Sequence, residues 1–380
     1  MAVSLFCRRA RLMALCGHAT DLCPHRTPGQ KRLCSHRHSS DDRERGGISP
    51  RLTIQKGSGM FEIAFLGTSA SAPSIERGLS SSLVMYRDQR FMIDCGEGTQ
   101  RQLLRTGLGF RKIDKILLTH GHLDHILGLG GLVSTFSRWE SMDTLTIYGG
   151  QWALQRVQDL MNVVLRGGEV DTEIEFVAVR PGVLWQKDAL RISAFSVSHR
   201  GPGCFGYLFE EQSRRPFLPE RAEALGVPRG PERKRLVEGE AVTLADGSVI
   251  EPEDVLGQEV RGTRLVYVGD AGRTDNLVKM CRDADALIIE ATYVSRDAEL
   301  ASRFGHLTAA QAAELAREAG VGHLFLVHIS RRYSEREILR EARDVFPNTI
   351  VPRDLDQFRI TKGTVEPIEP EELAREENGV

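Results

Sequence analysis

The chain has 380 residues, with 50 Lys and Arg against 52 Asp and Glu, for a formal net charge of −2. That balance excludes a global basic field, so any charge for binding nucleic acid must be local. With 41% hydrophobic and 27% charged residues the composition is that of an ordinary globular protein, and no apolar run approaches the roughly 18–20 residues of a membrane span.

In chain order, residues 1–59 come first, rich in Arg, His, Ser and Cys, without sustained periodicity, and closing on Gly57-Ser58-Gly59. A disordered extension is the expectation, with Met60 and the strand after it as the natural start of the folded chain. A zinc knuckle from Cys16, Cys23 and Cys34, or an Arg-rich targeting peptide, are the alternatives. The cysteines beyond it, Cys95, Cys204 and Cys281, are far apart and odd in number. That is no disulfide framework and points to a reducing compartment, the cytoplasm.

From residue 60 short β runs alternate with helical patterns. Strands are expected at 61–66, 82–86, 90–94, 115–119, 144–148, 190–198, 204–209, 264–269, 286–290 and 323–328. Helices are expected at 97–106, 125–137, 151–164, 275–283, 308–319 and 334–344, with Thr308-Ala309-Ala310-Gln311 close to a capping box. This alternation argues an α/β fold with sheets covered by helices. Residues 211–261 break the rhythm: Pro216, Pro219, Pro228, Pro231 and Pro252 forbid a long helix, and the apolar islands are short. So long a stretch inside a folded domain reads as a functional element, and Arg229, Arg233, Lys234 and Arg235 give it a local basic cluster.

The chemistry begins at Thr119-His120-Gly121-His122-Leu123-Asp124-His125, directly after the apolar run Lys115-Ile116-Leu117-Leu118. Imidazole nitrogen mixed with carboxylate oxygen suits borderline divalent metals, and one such loop can begin two metal sites. Later strands supply the remainder at their C-terminal ends: His199 after 190–197, Asp270 after 264–268, and His328 after 323–327. His120, His122 and His199 would hold one ion, Asp124, His125 and His328 the other, with Asp270 between them. Five imidazoles favour two Zn²⁺ over Mn²⁺ or another divalent metal. Asp94, ending the strand before Cys95-Gly96-Glu97-Gly98, is placed to orient a ligand His through its other ring nitrogen.

His120-x-His122-x-Asp124-His125 with His199, Asp270 and His328 resembles the metallo-β-lactamase superfamily. Further motifs resemble its RNase Z branch, the tRNA 3′-processing endonucleases. These are Gly67-Thr68-Ser69-Ala70-Ser71-Ala72-Pro73 with Arg77, Phe91-Met92-Ile93-Asp94-Cys95-Gly96-Glu97, Ile289-Glu290-Ala291-Thr292-Tyr293, Gly305-His306-Leu307-Thr308 and His328-Ile329-Ser330-Arg331-Arg332-Tyr333. Gly226-Val227-Pro228-Arg229-Gly230-Pro231 and Val242-Thr243-Leu244-Ala245-Asp246-Gly247 resemble that family's flexible arm. The chain departs from the family at Pro73-Ser74-Ile75-Glu76-Arg77-Gly78, which lacks the Lys and Asn of Pro-x-Lys-x-Arg-Asn. It also has Gly269-Asp270-Ala271 for Gly-Asp-Thr, and His306-Leu307-Thr308 for His-Ser-Thr or His-Glu-Ala-Thr.

The resemblance implies a metallo-β-lactamase αβ/βα sandwich of two mixed sheets flanked by helices over 60–362, with an arm at about 211–261 and an acidic tail at 363–380. It implies a zinc-dependent endoribonuclease that removes 3′ trailers from tRNA precursors and leaves a 3′-hydroxyl. In it Asp124 would take the proton of the attacking water, and His306, held by Glu290, would protonate the leaving oxygen. The RNA would meet Arg77, Arg273 and Arg332 near the metals and Arg229, Arg233, Lys234 and Arg235 on the arm. A homodimer is implied, with one subunit's arm presenting tRNA to the other's site. The readings beside it are another hydrolase of this fold, acting on a small phosphodiester, thioester or sulfate ester, and a non-catalytic RNA-binding paralogue.

Overall fold

A computed structural model describes residues 59–138, 143–166 and 172–369, all within the unit Gln55–Val380; the expectation for residues 1–58 lies outside them. The first sheet takes β1 (Phe61–Gly67), β2 (Ser81–Tyr86), β3 (Gln89–Ile93), β4 (Lys115–Leu117), β5 (Thr144–Gly149) and β6 (Glu173–Ala178). The second begins with β7 (Gly182–Lys187), β8 (Leu190–Ser196) and β9 (Phe205–Glu211). After the arm hairpin β10 (Val242–Thr243) and β11 (Val249–Ile250), it resumes as β12 (Arg264–Gly269), β13 (Ala286–Glu290), β14 (His323–Val327) and β15 (Thr349–Ile350). Finally β16 (Gln357–Thr361) and β17 (Thr364–Pro367) return to the first sheet. The orders are β17-β16-β1-β2-β3-β4-β5-β6 and β15-β14-β13-β12-β9-β8-β7. Both sheets are mixed: β1, β2 and β3 pair antiparallel and β3, β4, β5 and β6 parallel, while β7, β8, β9 and β12 pair antiparallel and β12, β13, β14 and β15 parallel.

Period-two alternation sorts the side chains into layers. Phe61, Ile63 and Phe65 of β1 join Tyr207, Phe209, Tyr267, Ile288 and Phe325 between the sheets, with Phe65 and Phe325 rings 5.5 Å apart across the gap. Ala64 and Leu66 turn to the opposite face. There they meet α1 (Thr99–Arg105), α3 (Gly128–Arg138) and α4 (Gln151–Val164). On the second sheet Leu287 and Ile289 meet α8 (Val278–Cys281), α10 (Ala309–Glu318) and α11 (Glu335–Arg343). The result is the four-layer αβ/βα sandwich that the motifs implied.

Several expected elements take other shapes. The helix expected at 125–137 is two, α2 (Leu123–Ile126) and α3, because the backbone at Gly128 lies against the Cys95-Gly96 turn. Gly128 N–H donates to Cys95 O at 2.9 Å, and a Cβ there would stand 2.0 Å from Gly96 O. The helix expected at 275–283 shortens to α8. The acidic tail expected from 363 begins later, since β17 pairs with β16 as far as Pro367. β6, β7, β15, β16 and β17 were not anticipated.

Residues 211–261 are ordered into α5 (Pro219–Ala224), α6 (Pro231–Val237), β10, β11 and α7 (Pro252–Val255). The short apolar islands form a small core of their own from Ala222, Val227, Leu236, Val242, Ile250, Val255 and Leu256. At the root Arg214 and Val260 exchange backbone hydrogen bonds of 3.0 and 2.8 Å. Next to it Arg261 makes a two-pronged ion pair, 2.7 and 2.9 Å, to Asp285. The Asp285 carboxylate also accepts from the backbone N–H of Arg264 and of Gly363.

Candidate metal centre

The strand ends bring the seven expected donors together. His120, His122, His199 and Asp270 form one group whose ligand atoms lie within 4.8 Å of one another, and Asp124, His125 and His328 form a second. His120, His122, Asp124 and His125 come from the turn after β4 and the start of α2. His199, Asp270 and His328 follow β8, β12 and β14. Asp270 Oδ2 lies at the centre, 3.7 Å from Nε2 of His120, 3.6 Å from that of His125, 3.7 Å from that of His199 and 3.4 Å from that of His328.

The other ring nitrogens are held from behind. His125 Nδ1–H donates to Asp94 Oδ2 at 2.8 Å, and His199 Nδ1–H to Gly305 O at 2.7 Å. His120 Nδ1 lies 3.0 Å from Thr119 Oγ1, whose hydroxyl donates to Asp94 Oδ2 at 2.7 Å. On the other side His328 Nδ1 lies 2.8 Å from Thr292 Oγ1, which donates to Glu290 Oε2 at 2.5 Å. Both hydroxyl protons are committed to carboxylates, so both hydroxyls accept from the imidazoles. Four rings thereby hold a proton on Nδ1 and turn Nε2 toward one another and a carboxylate. At His125 burial is outweighed by the Asp270 and Asp94 charges, which raise the imidazole well above its ordinary range, so a metal ion there would take the place of the Nε2 proton.

That arrangement calls for cations. His120 Nε2 stands 2.8 Å from His122 Nδ1, which is also 3.3 Å from His199 Nε2. Among the described residues His125 Nε2 and Asp270 Oδ1 are buried with no hydrogen-bond partner, a costly state unless something positive sits between them. Burial, then the neighbouring imidazoles, hold His120 well below the ordinary histidine range and His122 at about 4, which keeps both neutral. Neutral imidazole beside ionised carboxylate is the ligating form, and the donor set fits divalent metal.

A cleft of about 550 Å³ opens onto this centre, lined by Ser71, His122, Asp124, Arg156, Arg200, Asp270, Thr292, Tyr293, Phe304, His306 and Arg332 among others. His306 Nδ1–H bonds to Glu290 at 3.0 Å, and Glu290 is fully buried, taking a further N–H from Ala271 at 2.7 Å. Burial pulls the His306 imidazolium down, but the charge of Glu290 and its hydrogen bond outweigh this and raise the pKa to about 9. Asp124 Oδ2 accepts from Ser71 N–H at 3.0 Å.

The expected RNA-binding cations divide. Arg332 lines the cleft. Arg77 is turned inward, its guanidinium donating to Thr68 Oγ1, to Pro352 O at 2.7 Å and to Glu335 at 3.1 Å. Arg273 is paired with Asp275 at 3.5 Å. On the arm, Arg229 bonds Glu223 at 2.8 Å, Lys234 lies 3.6 Å from Glu238, and Arg235 bonds Glu240 at 2.9 Å, so the local positive field is partly offset. Arg233 is spent on Val227 O. Arg156, Arg200 and Phe304 in the cleft, and Thr119 and Thr292 behind the ligands, were not anticipated.

The family model described as a beta-lactamase superfamily domain matches residues 232–329, and that described as anti-Pycsar protein Apyc1 matches residues 61–210. Ribonuclease Z of Bradyrhizobium diazoefficiens is 47% identical over 299 residues, covering 79% of this chain and 99% of that protein. The chain belongs to the ribonuclease Z family. Ribonuclease Z of Bradyrhizobium sp. (strain ORS 278) is 48% identical, over 79% of this chain and all of that one. The solved structure of human tRNase Z, short form, shares the fold with a TM-score of 0.56 at 24% identity, covering 78% of this chain and 98% of that chain. The family assignment accounts for the interrupted stretch at 211–261 as part of the ribonuclease Z chain, since the aligned relatives run along nearly their whole length.

Proposed function

We propose that this chain is the tRNA 3′-processing endoribonuclease of its organism, hydrolysing one phosphodiester in a tRNA precursor to release the 3′ trailer and leave a 3′-hydroxyl. The observation that carries the reading, beside membership of the ribonuclease Z family, is the Glu290–His306 pair in the cleft with the seven-donor centre. Two divalent ions, held by His120, His122 and His199 and by Asp124, His125 and His328 with Asp270 shared, would acidify a water and offset charge building on the phosphoryl group. Five imidazoles against two carboxylates make zinc the favoured metal.

The chain's own groups do the rest. Asp124, fixed by the Ser71 N–H, takes the proton of the attacking water. Glu290 holds His306 protonated through Nδ1, which leaves the Nε2 proton for the leaving O3′. Asp94 and Thr119, like Thr292 and Glu290, set tautomers and ring angles. Arg332 and Arg200 in the cleft offer charge to the RNA backbone. The small folded arm, with Arg229 and Lys234 largely exposed, is a second contact for shaped tRNA, outside the chemistry.

A homodimer is part of the same reading. Leu104 and Leu127 are exposed at 56 and 40% and form a small apolar patch over Gly98, Gly128 and Gly131, rimmed by Glu97, Gln100 and Arg101. An apolar patch of this kind is suited to a second copy. Cys95, Cys204 and Cys281 are buried free thiols, which accords with the cytoplasm. Mapping the ends produced from a 3′-extended tRNA, alongside turnover of bis-p-nitrophenyl phosphate, tests the function. Turnover of the small diester with an untouched precursor would refute it.

A further inference from the structure

Phe304 is the most exposed aromatic side chain among the described residues, at 38%. Every other described Phe, Tyr and Trp is buried or half-buried. An exposed phenyl ring on a surface element calls for an explanation when it borders a catalytic cleft, and Phe304 lines this one. It ends α9 (Ala298–Phe304), and the left-handed Gly305, φ 70°, turns the chain at once into His306.

Two guanidinium groups attend the ring. The Arg200 Cζ lies 6.0 Å from its centroid and the Arg303 Cζ 5.6 Å. Arg200 directly follows the ligand His199, and its stem passes so close to Gly305 that a Cβ there would stand 2.9 Å from Arg200 Cγ. The turn is locked from beneath as well, since Gly305 O accepts from His199 Nδ1–H. The ring is thus placed by the same backbone that fixes a metal ligand and the proton donor. An aromatic face flanked by arginines is the recurring platform for an unpaired nucleobase.

We propose that Phe304, with Arg200 and Arg303, stacks the base of the nucleotide on the 5′ side of the scissile phosphate. The side follows from the proton balance, and the proposal rests on the ribonuclease reading above. Water adds to phosphorus and gives its proton to Asp124, the P–O3′ bond breaks, and O3′ takes the proton of His306. The nucleotide that carries O3′ must therefore lie against His306, two residues from Phe304. A stacked base would hold O3′ in line for that transfer, and would do so for any of the four bases, because each has a π face.

The test is a cycle of protein and substrate changes in single-turnover cleavage of a 3′-extended tRNA. One substrate is intact and the other has an abasic nucleotide 5′ of the cut. Phe304→Leu keeps the apolar bulk and loses the aromatic face, and Phe304→Trp keeps the face. Leu should slow the intact substrate about tenfold and Trp should leave it close to wild type. The abasic substrate should be slowed by the same factor with wild type and no further with Leu. Equal additional loss from the abasic nucleotide in the Leu variant, or full activity of that variant, would overturn the platform while leaving the ribonuclease reading in place. Wild-type enzyme inert toward the intact precursor would overturn both.

Discussion

Glu290→Gln removes one charge from the pair that holds the His306 proton and leaves its volume in place. Glu290 is fully buried and His306 only 12% exposed, so water screens little of their interaction. Its charge and hydrogen bond lift His306 from its ordinary 6.5 to about 9 against the pull of burial. Without that charge burial is opposed chiefly by Asp270, and the pKa should fall back to near its ordinary value. The acid form is the active one, so activity holds below this pKa and is lost as pH rises through it. At pH 7.5 a group with a pKa near 9 is almost fully protonated, whereas one near 6.5 is roughly one-tenth protonated, which amounts to about a tenfold loss. Bound divalent ions lower both values together, so the displacement between the two enzymes is the quantity to read. Single-turnover cleavage from pH 5.5 to 9.5, with metal content measured on the same samples, should show the alkaline limb moved down by about two and a half units and much of the rate recovered near pH 6. A loss of equal size at every pH, with metals retained, would refute the assignment of Glu290 as the group that keeps His306 charged.

His306→Ala should keep both metals and slow cleavage of precursor by about 10² or more, as loss of a general acid does; near-normal cleavage would remove His306 from that role. Asp94→Ala frees His125 and the Thr119 hydroxyl together, and metal affinity should drop by about 10- to 100-fold in a chelator competition. Asp285→Ala strips the partner from Arg261 and leaves two backbone N–H groups unmet, so urea denaturation should report a loss of about 2–4 kcal/mol. Replacing residues 212–258 by a short Gly-Ser turn should raise KM for precursor tRNA steeply and spare bis-p-nitrophenyl phosphate, whereas equal loss on both substrates would deny the arm a separate role.

What could be read from the sequence followed the strength of local signals. Strands buried on both faces, such as 286–290, are continuous apolar runs and were placed to the residue. β6 alternates half-buried with exposed residues only over Glu173–Phe176, and β7 has no fully buried residue, so their pattern is weak beside that of the core strands. β16 pairs with β1 across nearly the whole folded chain, a long-range fact that no short window contains, and β17 joins the sheet only by pairing with β16. The break between α2 and α3 depends on Gly128 meeting Gly96, a tertiary clash invisible to helical periodicity. In the site, His and Asp at strand ends were legible because few residue types ligate metals. Thr119 and Thr292 were not, since a threonine after a strand is common, and only the hydrogen bonds to His120 and to the distant His328 reveal their use. Arg77 is the converse: as a cation in a family motif it read as an RNA contact, and in the structure Thr68, Pro352 and Glu335 accept from its guanidinium.

The donors of the metal centre are drawn from both halves of the sandwich. His120, His122, Asp124 and His125 follow a strand of the first sheet, and His199, Asp270 and His328 follow strands of the second. Whatever binds them all therefore acts as a rivet through one rim of the molecule, joining two sheets that are held elsewhere by the apolar layer and by polar contacts such as Tyr86–Glu211 and Ser82–Tyr267. Chelation should then act mechanically as well as chemically, loosening the rim from which the cleft is built. The enzyme's shape at its working edge and its capacity to react would be lost together.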